Sequence, residues 1–189
     1  MLRPDQLNNL LKRYAQPHRH YHSWPHIEVL LAWFERVKDQ LHHREAVQLA
    51  IYYHDAIYQV PGPPKTSNEK ASAVLLLNEL SLTHEPEVLH FAAVMIEATE
   101  AHLIPEQLDP DQMNDCALFL DMDLSVLGAE PDIYDRYCEQ IRAEYAVIPE
   151  ELYRPGRAKI LAGFLARDQL FFSDHFHLAL ENQARTNLT

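Results

Sequence analysis

Residues 113–128 read MNDCALFLDMDLSVLG, and this stretch decides the fold class. Its apolar residues recur at intervals of three and four, as on one face of a helix. They are Met113, Cys116, Ala117, Leu120, Leu124 and Leu127. Gly128 is placed to end the helix. Asp121 and Asp123 interrupt the apolar run, with Asp123 on the stripe itself, and two carboxylates in a core-facing stretch need a cation.

The same helical spacing extends along the chain, which has only four glycines among 189 residues. A hydrophobic content of 47% is enough for a core, so we predict a single all-α domain over residues 1–189. The net charge of −12 disfavours a nucleic-acid duplex or an anionic lipid surface as a partner. Two distant cysteines and apolar runs of at most six residues argue against a disulfide framework and a membrane span, which predicts a cytoplasmic protein.

Capping residues and prolines set the expected helix limits. The predicted helices are Pro4–Ala15, one capped by Ser23 that runs to Val37, Glu45–Ile57, one capped by Ser67 that runs to Asn78, Pro86–Ala98, the helix of residues 113–127, and Pro131–Tyr145. The third helix is expected to end before Pro61-Gly62-Pro63-Pro64. A break at Pro155-Gly156 is expected among one or two further helices.

His26 and the adjacent pair His54-Asp55 are the other polar interruptions of apolar helices. A helix N-terminus keeps an imidazole neutral, which is the state a metal ligand needs, although a packed or capping histidine is the commoner reason for a residue such as His26. Neighbouring side chains on a helix diverge by about 100°, so His54 and Asp55 could touch one cation between them. An ion-paired aspartate beside a packed histidine explains that pair equally well.

These features together resemble the HD-domain superfamily of metal-dependent phosphohydrolases, whose signature is a His on one helix, His-Asp on the next and a distant Asp. The resemblance covers residues 21–145 and is nearest to a subgroup of small bacterial HD proteins that are predicted to be phosphohydrolases. Five motifs carry it: YHSWPHI at 21–27, YHDAIY at 53–58, NEKASA at 68–73, ATEAH at 98–102 and FLDMDL at 119–124.

The resemblance implies that His26, His54, Asp55 and one aspartate of the Asp-Met-Asp element bind a divalent cation. We favour Asp123 over Asp121, because the last aspartate of the superfamily follows a small or apolar residue within its helix. Asp121 is then expected to orient a ligand or a water. Manganese, iron, cobalt, nickel and magnesium are the expected metals.

The resemblance also gives roles to Asp55, Glu69 and His102 in catalysis. His102 stands where several HD enzymes keep an extra histidine, so it could bind phosphate or a second metal, or be a surface histidine at a helix end. Glu69 could be a general base or a hydrogen-bond anchor, or an ordinary glutamate of a helix cap. Candidates for neutralising phosphate are Lys65, Lys70, Arg136, Arg142 and Arg157, although most helical lysines and arginines are simply solvated.

The expected activity is hydrolysis of a small phosphorylated substrate, with nucleotides among the candidates, by a water activated at one metal ion. The rival class is a non-catalytic HD module that keeps its metal for stability and binds a nucleotide or a protein. An oxygenase is a third and weaker class, which needs more histidine and carboxylate ligands than the motifs of the sequence assign. Substrate, number of metal ions and oligomeric state stay open at this point.

Overall fold

The computed structural model describes residues 2–62 and 65–189, and all regular elements within those ranges are helical. This confirms the predicted all-α fold. The helices are α1 Pro4–Tyr14, α2 Trp24–Val37, α3 Arg44–Tyr53, α4 Asn68–Leu80, α5 Pro86–Ala98, α6 Pro110–Leu124, α7 Pro131–Glu144, α8 Glu150–Leu165 and α9 Asp174–Asn187. Pro63 and Pro64 of the predicted helix-ending segment lie outside the described residues. None of the described helices combines the length and the apolar character that crossing a membrane requires.

Proline and short polar side chains fix where the helices begin. Proline occupies the first or second position of five helices, where its missing N–H costs nothing: Pro4, Pro25, Pro86, Pro110 and Pro131. Ser67 and Asp109 cap α4 and α6 by accepting hydrogen bonds from backbone N–H groups of the first turn. The helix starts read from the sequence therefore lie close to the observed ones.

The core forms where α2, α3, α5 and α6 pack together, with α4 against α3 and α5. Each of these helices buries an apolar face, and Leu30, Ile51, Met95 and Leu120 are among its fully buried side chains. Burying such a side chain stabilises the fold by about 1.5–3 kcal/mol. This packing brings the start of α2, the end of α3 and the end of α6 to one place.

The third helix ends at Tyr53, so the predicted end at Ile57 is wrong. The guanidinium of Arg19 donates to the backbone carbonyls of Asp55 and Ala56, at 2.7 and 3.1 Å. A side chain from the loop between α1 and α2 thus binds carbonyls just beyond the end of α3. Residues 54–57 therefore form a turn and do not extend the helix.

The predicted break at Pro155-Gly156 is also wrong, because α8 runs through both residues. A proline inside a helix removes the hydrogen bond to the carbonyl four residues earlier, here that of Glu151. Glu151 is exposed and α8 has no buried residue, so water can serve that carbonyl. The cost of the proline is therefore low at this position.

Gly128 has a packing role that the sequence did not indicate. The α-helix α6 ends at Leu124, and Ser125–Gly128 continue it as a short 3₁₀ turn. A Cβ atom on Gly128 would lie 2.5 Å from Cβ and 2.7 Å from the backbone oxygen of Leu180 in α9. Only glycine permits this approach of α9 to the end of α6.

Candidate metal centre

Three helices contribute the side chains of the candidate metal centre. His26 lies in the first turn of α2, His54 is the C-cap of α3 and Asp55 follows it in the turn, and Asp123 lies in the last turn of α6. His26 and His54 are buried, and the Asp55 and Asp123 side chains are 14% and 12% exposed. The structure therefore brings the four favoured ligands together from positions distant in sequence.

The four side chains approach one another closely. The Nε2 atoms of His26 and His54 are 3.2 Å apart. Asp55 Oδ2 lies 3.0 Å from His54 Nε2 and 3.7 Å from His26 Nε2. Asp123 Oδ1 lies 3.1 Å from His26 Nε2 and 3.6 Å from His54 Nε2. The two histidine nitrogens thus lie close to each other and to one carboxylate oxygen each of Asp55 and Asp123.

The tautomer of His54 is fixed by its other ring nitrogen. His54 Nδ1 lies 2.9 Å from the carbonyl oxygen of Ile51, which can only accept, so Nδ1 carries the proton. The Nε2 atom of neutral His54 therefore presents a lone pair toward His26 Nε2. Two such nitrogens at 3.2 Å need a proton or a cation near them.

The charges in the cluster depend on one another. Burial alone would raise the pKa of Asp55 and of Asp123, but the histidines around them hold both pKa values below the ordinary range. Burial opposes protonation of His54, yet Asp55 and Asp123 raise its pKa well above the ordinary value. For His26 burial dominates and lowers the pKa. Without a metal, the cluster thus consists of two carboxylates, one neutral histidine and one that readily takes a proton.

The arrangement fits a divalent cation. Ligands that lie about 2.1–2.2 Å from one cation and subtend 90–110° are about 3.0–3.6 Å apart, close to the distances of 3.0–3.7 Å within the cluster. The ligand atoms of His26, His54 and Asp55 all lie within 4.8 Å of one another. Asp55 Oδ2 is buried, and no well-oriented hydrogen bond from the described part of the chain reaches it. A buried acceptor of this kind is costly unless a cation or donor compensates it.

Other buried carboxylates of the chain have different partners. Each accepts hydrogen bonds from backbone N–H groups: Asp115, Asp121, Glu144 and Glu181. Asp55 and Asp123 differ, because within residues 2–62 and 65–189 no backbone N–H donates to them and their close polar contacts are histidine nitrogens. This difference separates the cluster carboxylates from those that only hold the backbone.

Asp121 lies away from the cluster, which corrects its inclusion among the metal ligands. Its two carboxylate oxygens accept hydrogen bonds from the N–H groups of Phe172 and Ser173 at 2.8 Å, and from the Ser173 hydroxyl at 2.6 Å. Burial raises the pKa of Asp121 to about 6, although these hydrogen bonds oppose the rise. Asp121 therefore anchors the start of α9, and it neither contacts the cation site nor orients a ligand there.

His102 lies beside the cluster. Its Nε2 atom is 3.0 Å from Asp123 Oδ2, so it contacts the carboxylate oxygen that faces away from His26. Its backbone has a φ of 48°, a left-handed conformation that residues other than glycine seldom adopt. Arg167 donates to the preceding carbonyl, that of Ala101, at 3.0 Å. The chain thus holds a strained turn that directs His102 toward Asp123.

A cleft of about 910 Å³ opens beside the cluster. Asp55, Asp123 and His102 form part of its floor, and Glu69 of α4 lies on its wall. Residues of α8 also line it, among them Gly156 and Gly163, which leave open space where a side chain would stand. Glu69 therefore faces the same space as the cluster, and no hydrogen bond among the described residues joins the two.

Two residues that the sequence analysis did not single out hold the loop before α2. Arg19 joins the backbone carbonyls of His22 and Asp55, at 3.0 and 2.7 Å. Glu144 Oε1 accepts from three successive N–H groups, those of residues 20–22, and Oε2 lies 2.6 Å from His22 Nδ1. Burial raises the pKa of Glu144, but the bond to His22 outweighs it and the pKa falls to about 2. The position of Glu144, in line with Tyr137 and Ile141 on the buried face of α7, is the signal that could have revealed it.

The chain matches no family model, no curated protein and no solved structure. The similarity to HD-domain phosphohydrolases thus rests on the five motifs and stays a prediction. The all-α fold and the convergence of His26, His54, Asp55 and Asp123 stand independently of it.

Proposed function

We propose that this protein is a metal-dependent phosphohydrolase that cleaves a small phosphoester at a divalent cation held by His26, His54, Asp55 and Asp123. The observation that carries the proposal is the convergence of His26, His54, Asp55 and Asp123 beside a large cleft, which Asp55 and Asp123 help to line. The motif resemblance to HD-domain enzymes supports the same assignment. Manganese, iron, cobalt, nickel and magnesium all suit two imidazole nitrogens and two carboxylates.

A divalent cation bound there would supply Lewis acidity to a phosphoryl oxygen and to the attacking water. Asp55 and Asp123 would balance its charge and His26 and His54 would hold it through Nε2, while His54 Nδ1–H keeps donating its hydrogen bond to the Ile51 carbonyl. Four protein ligands would leave the cation able to bind substrate and water as well.

Two further residues have proposed roles around this centre. His102 binds the outer oxygen of Asp123 and so fixes the orientation of that carboxylate. Glu69 faces the cleft and is our candidate for the group that accepts a proton from the attacking water. The cleft beside the cluster supports this activity over a purely structural metal site, which is closed by its ligands.

The experiment that tests the proposal is a panel of phosphomonoesters, nucleotides and phosphodiesters assayed with each candidate metal. We expect metal-dependent turnover that falls by at least about a hundredfold in Asp55→Asn, even with metal in excess. Asp135→Asn, which alters an exposed aspartate of α7 outside the cleft, is the matched control. Metal content and circular dichroism are measured on the same samples.

Full turnover by a folded, metal-loaded Asp55→Asn protein would place the activity elsewhere. Metal binding without turnover on any substrate would instead favour the non-catalytic module, which keeps the cation for stability and binds a nucleotide or a protein.

A further inference from the structure

Two arginines that line the cleft have no carboxylate partner within residues 2–62 and 65–189. Of the cations that the sequence suggested for phosphate, Lys70, Arg136 and Arg142 each lie within 4.0 Å of an acidic side chain. Arg157 differs, because it lines the cleft and its polar contact is the Tyr137 hydroxyl, at 2.6 Å. Arg167, which sequence reasoning missed, lines the same cleft.

Arg167 has donor capacity that the described residues leave unused. Its Nη2 atom donates to the Ala101 carbonyl and its guanidinium lies 4.8 Å from the centre of the Phe164 ring. Its Nη1 atom is buried with no hydrogen-bond partner in residues 2–62 and 65–189. An unpaired buried donor is costly, so an anionic acceptor supplied by a ligand gains more here than at a solvated surface arginine.

Each guanidinium group contacts an aromatic ring that stands between it and the metal centre. The ring is that of Tyr137 for Arg157 and that of Phe164 for Arg167. Arg157 reaches the metal centre through Tyr137, whose ring centre is 4.6 Å from that of Tyr21, which in turn lies 4.8 Å from that of His26. Two aromatic rings thus separate Arg157 from His26 along this chain of contacts, and no contact among the described residues joins Arg157 directly to the cluster.

Arg167 is connected to the metal centre through a different ring, that of Phe164. It stacks on Phe164, whose ring centre is 5.9 Å from that of His102. The cleft volume of about 910 Å³ also exceeds what a phosphoryl group alone needs, since sites for whole small molecules span about 300–1,000 Å³. The two arginines thus face a part of the ligand that lies away from the metal.

We infer that the substrate carries a second anionic group, remote from the scissile phosphoryl group, and that Arg157 and Arg167 bind it. This inference rests on the proposed phosphohydrolase function. The shared chemistry is a planar guanidinium fork, which suits either a phosphate or a carboxylate. In an acidic protein of net charge −12, two arginines without a carboxylate partner among the described residues also supply positive charge to a cleft that Asp55, Glu69, Glu100 and Asp123 line with negative charge.

The test uses three ligands that cannot be hydrolysed: methylphosphonate, 4-phosphonobutyrate and propane-1,3-diphosphonate, the last two with a three-carbon linker that separates their anionic groups. They present a phosphonate alone, a phosphonate with a carboxylate, and two phosphonates. Calorimetric titration into the manganese-loaded full chain, with metal content checked before and after, gives their dissociation constants. We expect at least one ligand with two anionic groups to bind about tenfold or more tightly than methylphosphonate.

Arg157→Gln and Arg167→Gln should each reduce that preference by about tenfold and leave methylphosphonate binding nearly unchanged, while Arg167→Lys should restore part of it. Arg36→Gln is the matched control, because Arg36 also stacks on an aromatic ring but lies outside the cleft. The second group is a phosphate if propane-1,3-diphosphonate gains most, and a carboxylate if 4-phosphonobutyrate does.

Two results would overturn the inference: no preference in the wild type, or a preference that both glutamine variants retain while circular dichroism shows them folded. Since none of the ligands turns over, these results are independent of whether the protein hydrolyses phosphoesters. An arginine-dependent preference in a protein without turnover would support the anion site and count against the proposed function alone.

Discussion

Asp121 and Asp123 face opposite sides of α6, although a single residue separates them. The Asp121 carboxylate binds the backbone of Phe172 and Ser173, and the Asp123 carboxylate lies 3.1 Å from His26 Nε2. Positions two apart on a helix diverge by about 200°, which explains the separation. One turn of α6 thus holds the start of α9 on one side and contributes to the candidate metal centre on the other.

The first prediction compares these two aspartates. Asp123→Asn should lower metal affinity by at least about tenfold, because it replaces a charged ligand by a neutral one. Asp121→Asn should leave metal affinity unchanged but cost about 1–3 kcal/mol of unfolding free energy, since an amide cannot accept all three hydrogen bonds. Calorimetric metal titration and urea unfolding measure both quantities. Loss of metal binding in the folded Asp121→Asn protein would contradict the assignment.

The second prediction concerns acid stability. The pKa of Glu144 falls from 4.5 to about 2 on folding, so its contribution is fully present above about pH 4.5 and is lost as the pH falls toward 2. That shift corresponds to on the order of 3 kcal/mol. Glu144→Gln should therefore be less stable at neutral pH, and its unfolding free energy should depend less on pH between 4.5 and 2.

Urea unfolding at a series of pH values measures this effect, with Glu139→Gln, an exposed glutamate of the same helix, as the control. Equal pH dependence in Glu144→Gln and the wild type would mean that Glu144 does not stabilise the loop of residues 20–22.

The third prediction is that metal and stability are coupled. Removing the cation leaves Asp55 and Asp123 facing each other across the histidines, so a chelator should lower the melting temperature. A metal at a hundredfold excess over its dissociation constant contributes about 2.7 kcal/mol, or roughly 5–10 °C in a domain of this size. Asp123→Asn, which binds metal weakly, should respond less to the chelator. An unchanged wild-type melting curve after verified metal removal would refute the coupling.

The fourth prediction compares the effect on stability of replacing two glycines, Gly128 and Gly163, by alanine. Gly128→Ala should lower the unfolding free energy by about 1–3 kcal/mol, since the new Cβ would meet the Leu180 backbone at 2.7 Å. Gly163→Ala, in an exposed helix with no atom within 4 Å of the new Cβ, should instead raise it by about 0.4–1 kcal/mol. Denaturant unfolding of the two variants measures the contrast, and a neutral Gly128→Ala would show that α9 can shift without loss.

Local patterns were sufficient to predict most of the fold. Helical periodicity with Pro86, Pro131 and the Ser67 cap predicted α4, α5 and α7 closely, because caps and first-turn prolines act within a few residues. The end of α3 could not be predicted in this way, since it depends on Arg19, a residue brought to Asp55 only by the tertiary fold. The continuation of α8 through Pro155 likewise depends on the exposure of that helix.

The candidate site, like the fold, could be predicted from local patterns only in part. Polar residues on apolar faces identified His26, His54 and Asp55, because burying them needs compensation. The same reasoning could not separate Asp121 from Asp123, since both interrupt one apolar helix and only packing against α9 distinguishes them. Arg167 was missed because its position on the cleft wall follows from how α8 packs.

The most direct test of the account is anomalous diffraction from crystals of the protein grown with manganese. The account predicts one strong peak between the Nε2 atoms of His26 and His54 and the carboxylates of Asp55 and Asp123, about 2.0–2.4 Å from its ligands. It also predicts that this peak disappears in crystals of Asp123→Asn. No peak at this cluster at saturating manganese, or a peak at Asp121 instead, would contradict the account.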